Sequence, residues 1–188
     1  MKDVCKSNTK SLGTKTDPGY QFSYVDISSC TYPGQLTSLE KLTFKGAPSR
    51  AKRVVKDGDT LVSTVRPNHQ ATCYFENAED VIGSTGFTVV TPNDKAYSKW
   101  IFYCTLTKQF VHNLSNLMVG TSFPAVSDDD IMVQYVDLPG KTILPVWEDA
   151  FNRIYNSYNA LKLKQERFST FRSLLMQHLL LPNEGGVQ

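Results

Sequence analysis

The sequence lacks the features of membrane, secreted and zinc-binding proteins. It has no apolar run long enough to cross a membrane, and residues 1–16 are polar, without the apolar core of a signal peptide. Its four cysteines form no C-x-x-C pair, which argues against a zinc site and against a small disulfide framework. We therefore expect a cytoplasmic protein with no membrane association and with reduced thiols at Cys5, Cys30, Cys73 and Cys104.

Motifs for catalysis and for metal binding are also missing. Residues 83–86 (GSTG) lack the G-x-S-x-G spacing of a nucleophile elbow and are not a cofactor-binding glycine turn, and no aromatic-proline catalytic motif is present. The acidic residues 128–130 could attract magnesium, but consecutive acids on a helix point in different directions, so a helix start capped by Ser127 is favoured. His69 and Cys73 are four residues apart, a spacing that would bring two metal ligands together on a helix but not on the hairpin to which we assign them. We expect no enzyme activity, no cofactor and no metal.

The charge of the chain is small overall but unevenly distributed. The net charge is +2, and 40% of the 188 residues are hydrophobic, so the chain can form a folded core. Residues 1–67 carry 11 basic and 6 acidic side chains, whereas residues 68–138 carry 3 and 8. A surface for nucleic acid is therefore expected in the first third.

The most basic stretch is residues 44–67, FKGAPSRAKRVVKDGDTLVSTVRP. A turn at residues 56–59 leads into a strand predicted over residues 60–65, and Pro67 biases Arg66 toward extended geometry at the end of that strand. A second strand over residues 71–75 makes a hairpin whose tip presents Arg66, Asn68, His69 and Gln70. A solvated loop beside a core strand is the alternative interpretation of the basic residues.

The rest of the first 138 residues has a mixed pattern of helices and strands. We predict strands over residues 22–27, with Asp26 inside and in a structural role, and over residues 87–91. Residues 35–41 are either loop or a short helix. Helical spacing predicts a helix over residues 96–106 and a helical continuation over 111–118, and residues 131–136 end a short helix or form a strand. Residues 120–124 are expected to be loop.

The pattern changes after residue 139. Residues 145–181 carry a heptad seam, in which eight of ten positions are apolar, and they predict one helix of about 37 residues and roughly 55 Å. The seam consists of Trp147, Phe151, Ile154, Tyr158, Leu161, Gln165, Phe168, Arg172, Leu175 and Leu179. Residues 182–186 should break the helix. We predict an α+β fold, with a mixed α/β domain over residues 1–138 and a long coiled-coil helix within residues 139–188, which needs a partner helix.

Several of these motifs, in this order, resemble the signature series of one family. They are YVDIS (residues 24–28), FKGAPSRAKR (44–53), GDTLVSTVRP (58–67), STGF (84–87), the Gly120 to Ile131 stretch, the Leu138-Pro139 pair, and the acidic and double-leucine pattern of residues 165–175. The chain resembles the specificity subunits of type I restriction-modification systems. The similarity covers one target-recognition domain and one of the helices called conserved regions, so the chain corresponds to half of a typical subunit.

The resemblance implies a non-catalytic subunit that binds double-stranded DNA and delivers a methyltransferase subunit, and through it a restriction subunit, to one half of a bipartite sequence. Phosphate contacts would set register and base contacts would set specificity. The candidates for phosphates are Lys45, Arg50, Lys52 and Arg53, and those for base edges are Arg66, Asn68, His69, Gln70, Ser84 and Thr85. Signature residues are shared across the family, so they cannot by themselves explain why its members recognise different DNA sequences. The alternative is that the specific base contacts come from residues 29–44 or 68–74.

The exposed seam predicts homodimerisation and a two-fold symmetric site. Its interface candidates are Trp147, Phe151, Ile154, Tyr158, Leu161, Phe168 and Leu175. The competing hypothesis is an assembly or inhibitor protein that uses the helix to replace half of a specificity subunit and reads no DNA.

Overall fold

A computed structural model of the chain describes residues 1–37, 39–120 and 124–180, except for the side chains of residues 179 and 180. The loop expected at residues 120–124 and the helix break at residues 182–186 lie partly or wholly outside the described residues. In chain order the strands are β1 (Cys5–Ser7), β2 (Gln21–Val25), β3 (Cys30–Thr31), β4 (Gln35–Leu36), β5 (Glu40–Thr43), β6 (Ala51–Val55), β7 (Thr60–Ser63), β8 (Thr72–Tyr74), β9 (Val81–Ser84) and β10 (Phe87–Pro92). The helices are α1 (Ser98–Leu106), α2 (Lys108–Leu117), α3 (Asp128–Met132) and α4 (Leu144–Leu180).

The described chain divides into two compact units, Met1–Leu144 and Pro145–Gln188. The division falls after the Leu138-Pro139 pair at which we placed it, because the intervening residues still contact the first unit. The Tyr97 hydroxyl donates to the Pro139 carbonyl at 3.0 Å, and Lys141 forms an ion pair with Asp94 at 2.6 Å.

Two four-stranded sheets form the first unit. One has the order β1-β10-β7-β8 and is antiparallel throughout. The other has the order β5-β2-β9-β6, in which the central pair β2–β9 is parallel. β3 and β4 form a separate two-stranded ladder. Residues 35–41, which we expected to be loop or short helix, include β4 and the start of β5. The strands β1, β3, β6 and β9 were not predicted from the sequence pattern.

The first sheet is buried on both of its faces. In β7 and β10, Val62 and Val90 pack into a cluster with the helical residues Ile101, Phe110 and Ile131. Their neighbours Leu61 and Val89 pack into a second cluster with residues of the other sheet. Side chains alternate between the two faces of a strand. Helices therefore cover one face of the first sheet, and the second sheet covers the other face. Burial on both faces explains why these strands read as continuous apolar runs.

The helices begin largely where the sequence predicted. α3 starts with a capping box, in which the Ser127 hydroxyl accepts from the Asp130 amide at 3.1 Å and the Asp130 carboxylate accepts from the Ser127 amide at 2.8 Å. Thr107 caps α2, whose Phe110 amide donates to the Thr107 hydroxyl at 3.2 Å. The acidic triplet thus starts a helix, as expected.

The cysteines differ from expectation. Cys30 in β3 and Cys73 in β8 are joined as a disulfide, with their Cα atoms 6.1 Å apart, so the prediction of reduced thiols is wrong for this pair. The tertiary fold brings together two strands that are 43 residues apart in sequence. Cys5 and Cys104 are free thiols, and burial raises the pKa of each to about 11.

The second unit consists of α4, a helix of 37 residues, which confirms the predicted long C-terminal helix. Such a helix is about 55 Å long. Among the described residues, no helix combines the length and the apolar composition needed to cross a membrane.

Candidate nucleic-acid interface

The β7–β8 hairpin carries four of the predicted base contacts. The strands pair antiparallel, with Thr60 opposite Tyr74, and a short 3-10 helix, Pro67–His69, forms the tip. Arg66 precedes this helix with φ 47° and ψ 58°, so the prediction of an extended Arg66 is wrong. Its amide donates to the Pro124 carbonyl at 2.9 Å, and this tertiary bond outweighs the extended bias that Pro67 imposes.

The side chains of the tip have different surroundings. Arg66, Asn68 and His69 are exposed, whereas Gln70 is half-buried and its amide donates to the Leu106 carbonyl at 3.5 Å. Gln70 also has a left-handed backbone, with φ 53°. The turn therefore presents three polar side chains to solvent, and the fourth joins the turn to α1.

A second group lies where β9 ends beside β6. The Thr85 amide donates to the Arg50 carbonyl at 2.8 Å, so these two residues are neighbours across the ladder. Thr85 is exposed, but Ser84 is buried and its hydroxyl accepts from the Gly86 amide at 3.3 Å. Of the predicted base contacts in this group, Thr85 is the accessible one.

Arg50 is held by two side chains at the end of β2. Its Nε donates to the Tyr24 hydroxyl at 3.1 Å, and its Nη2 donates to the Asp26 carboxylate at 2.7 Å. The hydrogen bond to Tyr24 and then the charge of Asp26 raise the pKa of Arg50. Its side chain is still 56% exposed, so part of it remains accessible to a ligand.

Asp26 has the structural role that the sequence suggested, although it follows β2 rather than lying inside it. Its carboxylate also accepts from the Ile27 amide at 2.8 Å and so caps a short 3-10 helix, Ile27–Ser29. We did not anticipate that Tyr24 and Asp26 would hold Arg50. No local signal could reveal it, because 24 residues separate Asp26 from Arg50.

Thr64 connects the hairpin to the second group. Its amide and its hydroxyl both donate to the Gly86 carbonyl, each at 2.9 Å. The structure thus brings residues 64–70 and residues 84–86 to one end of the two sheets, with Arg50 beside them. We call this shared end the reading end, after the DNA contacts predicted there; it comprises Arg50, Arg66, Asn68, His69 and Thr85.

The remaining predicted phosphate contacts lie along β6 and before it. Lys45 is exposed. The Lys52 ammonium lies 5.4 Å from the centre of the Phe44 ring. Arg53 is only 21% exposed and forms an ion pair with Asp128 at 3.2 Å, so its guanidinium group links β6 to α3. Of these three cations, Arg53 has the least access to a phosphate.

The acidic and histidine side chains are dispersed over the described part of the fold. Within the described ranges, no three His, Cys, Asp or Glu side chains come together in a way that could hold a metal ion. The most buried carboxylate, Asp59, accepts from the Thr91 hydroxyl at 2.6 Å and from the Lys56 amide at 2.8 Å. Its hydrogen bonds stabilise the β6–β7 turn.

The predicted interface residues of α4 fall into two classes. Trp147 and Phe151 are half-buried and stack with their ring centres 5.4 Å apart. The others are exposed: Ile154 by 68%, Tyr158 by 42%, Leu161 by 66%, Phe168 by 75% and Leu175 by 43%. These exposed apolar residues leave most of the seam in contact with water.

Comparison with known proteins identifies relatives of one kind, although no protein-family model matches the sequence. The chain is 26% identical over 102 residues to the type I restriction enzyme HindI specificity subunit of Haemophilus influenzae, across 52% of this chain and 22% of that protein. All of the chain superposes on a chain from a structure of the assembly and conformational transition of the type I restriction-modification (R-M) system, with TM-score 0.77 and 25% identity.

A second solved structure, the HsdS subunit of Thermoanaerobacter tengcongensis, matches 98% of the chain with TM-score 0.62 and 25% identity. The chain covers 50% and 51% of these two structures, and less than a quarter of the HindI subunit. The resemblance expected from the sequence is confirmed: the chain is similar to the specificity subunits of type I restriction-modification systems and superposes on about half of one.

Proposed function

We propose that the Met1–Leu144 unit recognises one half of a bipartite sequence in double-stranded DNA, and that the protein serves as a non-catalytic specificity component of a type I restriction-modification complex. The observation that carries the proposal is the reading end itself. Two arginines, an asparagine, a histidine and a threonine from separate parts of the sequence are gathered there on short, hydrogen-bonded turns. Such side chains suit the donor and acceptor pattern of the major groove.

Arg66 and Asn68 are the proposed base-reading residues with the best access. An arginine can donate two hydrogen bonds to the O6 and N7 atoms of guanine, and an asparagine can pair with the edge of adenine. Arg50 would contact a phosphate with the accessible part of its side chain. Lys45 and Lys52 would contribute further phosphate contacts, and Arg53 would mainly stabilise the domain.

The α4 helix is the proposed assembly element. Its exposed seam would pair with the same seam of a second copy, so that two reading ends address a two-fold symmetric site. A methyltransferase subunit would dock on the assembled protein, and a restriction subunit would join through it. Support for these partners comes from the kinship with type I specificity subunits.

Replacing Arg66 by asparagine tests the reading role. Asparagine tolerates the left-handed backbone of this position, so the turn should persist while the charge and the fork of donors are lost. Loss of one bidentate base contact costs about 1–3 kcal/mol, or roughly 5- to 150-fold in affinity for the selected sequence. The measurement is fluorescence anisotropy on a duplex selected from a randomised pool by the wild-type protein, with a type I methyltransferase subunit present and absent.

Lys41→Asn supplies the charge-matched control, because Lys41 is exposed on β5 at the opposite edge of its sheet from β6. The control should retain the affinity and the selected motif. Wild-type protein that enriches no sequence from the pool would refute the reading function. If it still formed a complex with a methyltransferase subunit, and Arg66→Asn did not change that complex, the result would favour the assembly or inhibitor hypothesis.

A further inference from the structure

A second basic surface lies at the far end of the first sheet from the reading end. It is a groove of about 650 Å³ between β1, the end of β10 and the turn that follows β6. We call it the lysine groove. The residues that line it are Lys6, Ser7, Thr9, Lys56, Thr91, Pro92 and Asn93.

The pairing of the strands explains why two lysines meet there. Lys6 in β1 lies directly opposite Thr91 in β10, and Lys56 is the residue after β6. The segment that follows β1 continues along the outer edge of β6, where the Val54 amide donates to the Lys10 carbonyl at 3.1 Å. Lys10 is exposed on this segment and extends the positive surface away from the groove.

The nearby carboxylates are already engaged by other groups. Asp57 accepts from the Asn77 amide at 2.8 Å and forms an ion pair with Lys95 at 3.4 Å. Asp59 is completely buried beneath the groove, where the Thr91 hydroxyl and the Lys56 amide donate to it. Within the described part of the chain, Lys6 and Lys56 form no close ion pair, although the charge of Lys56 lowers the pKa of the buried Asp59 against the larger effect of burial.

The chemistry of the lining suits a phosphate group. Lys6 and Lys56 supply ammonium groups, and the hydroxyls of Ser7 and Thr9 can donate further hydrogen bonds. Among the residues that the structure describes, no acidic side chain lines the groove to repel an anion. Contacts of this kind bind the DNA backbone without reading its sequence.

The distance to the reading end fits a single DNA duplex. β10 begins at Phe87, next to Gly86 at the reading end, and reaches the groove at Pro92. Five residue steps along a strand span about 17 Å, which equals about five base pairs of B-DNA. We propose that the lysine groove binds the sugar-phosphate backbone of the duplex that flanks the recognised half-site.

This inference rests on the proposed DNA-binding function, and the salt dependence of binding tests it. The full chain carries Lys6→Gln, Lys56→Gln or both, and the probes are fluorescein-labelled duplexes of 10 and 30 base pairs with randomised sequence. Each lost phosphate contact lowers the slope of log K against log salt by about 0.9 in magnitude, so the double variant should lose about two. The loss should occur on the 30-base-pair probe and be smaller on the 10-base-pair probe.

Lys41→Gln is the control with the same change of charge, at the β5 edge. The motif that the double variant enriches from a random pool should equal that of the wild type, because a backbone contact carries no base preference. A double variant whose slope matches that of Lys41→Gln, while the wild type still selects a motif, overturns the groove alone. Wild-type protein that binds neither probe overturns both the groove and the proposed function.

Discussion

The exposed seam of α4 makes a quantitative prediction about association. Leu161 lies on the seam and is 66% exposed, whereas Leu163, which is 50% exposed, lies about 200° around the helix from it. The Leu161→Ala substitution removes about three methylene equivalents, and each contributes about 0.8 kcal/mol to the free energy of association when it is buried. Covering the exposed two thirds of Leu161 thus contributes about 1.6 kcal/mol per copy, or about 3 kcal/mol per symmetric dimer.

Leu161→Ala should therefore raise the dimer Kd on the order of 100-fold, while Leu163→Ala leaves it nearly unchanged. The two variants make the same chemical change within one helix, so their effects on helix propensity cancel in the comparison. Sedimentation equilibrium over a wide concentration range gives both constants. A wild type that is monomeric at every concentration, or two variants with equal effects, would refute pairing through this seam.

Two further predictions concern the β6–β7 turn. Gly58→Ala should destabilise the protein by about 1–3 kcal/mol in urea denaturation, because Gly58 has φ 85° and the new Cβ would lie 2.8 Å from the Ser98 hydroxyl oxygen. Gly13→Ala, which has nothing within 4 Å of its added Cβ, is the control and should cost less than about 0.5 kcal/mol. Burial raises the pKa of Asp59, so the folded state holds this proton more tightly than the unfolded state. Wild-type stability should therefore fall relative to Asp59→Asn as pH rises from about 4 through the raised pKa, and parallel curves would contradict this.

The basic stretch, residues 44–67, shows which structural elements a local sequence pattern can predict and which it cannot. The sequence predicted the β7–β8 hairpin correctly, but it assigned no strand to residues 51–55. These residues form β6 because Ala51 and Val55 are buried and because Arg53 finds an acid, Asp128, that is 75 residues away. Such long-range pairing leaves no periodic signal in the segment itself.

The candidate site also combines features that the sequence predicted with features that depend on tertiary packing. The exposed tip residues Arg66, Asn68 and His69 were predicted from a turn between two apolar runs, which is a local feature. The burial of Ser84 and the anchoring of Arg50 by Tyr24 and Asp26 follow from how the strands align in the second sheet. Accessibility is a property of the packed sheets, so residue type alone could not rank these candidates.

The elements with local causes could be predicted from the amino-acid sequence. These include the capped start of α3 at Ser127, the β7–β8 hairpin and the long helix α4, because capping, turn chemistry and heptad spacing act within a few residues. Which distant residues come into contact depends on the packing of the whole fold. This packing joined Cys30 to Cys73, gave Arg66 its left-handed backbone through the bond to Pro124, and brought Lys6 beside Lys56 in the lysine groove. Each of these depends on partners far away in the chain, whose positions are fixed only when the two sheets and the helices bury their shared apolar faces.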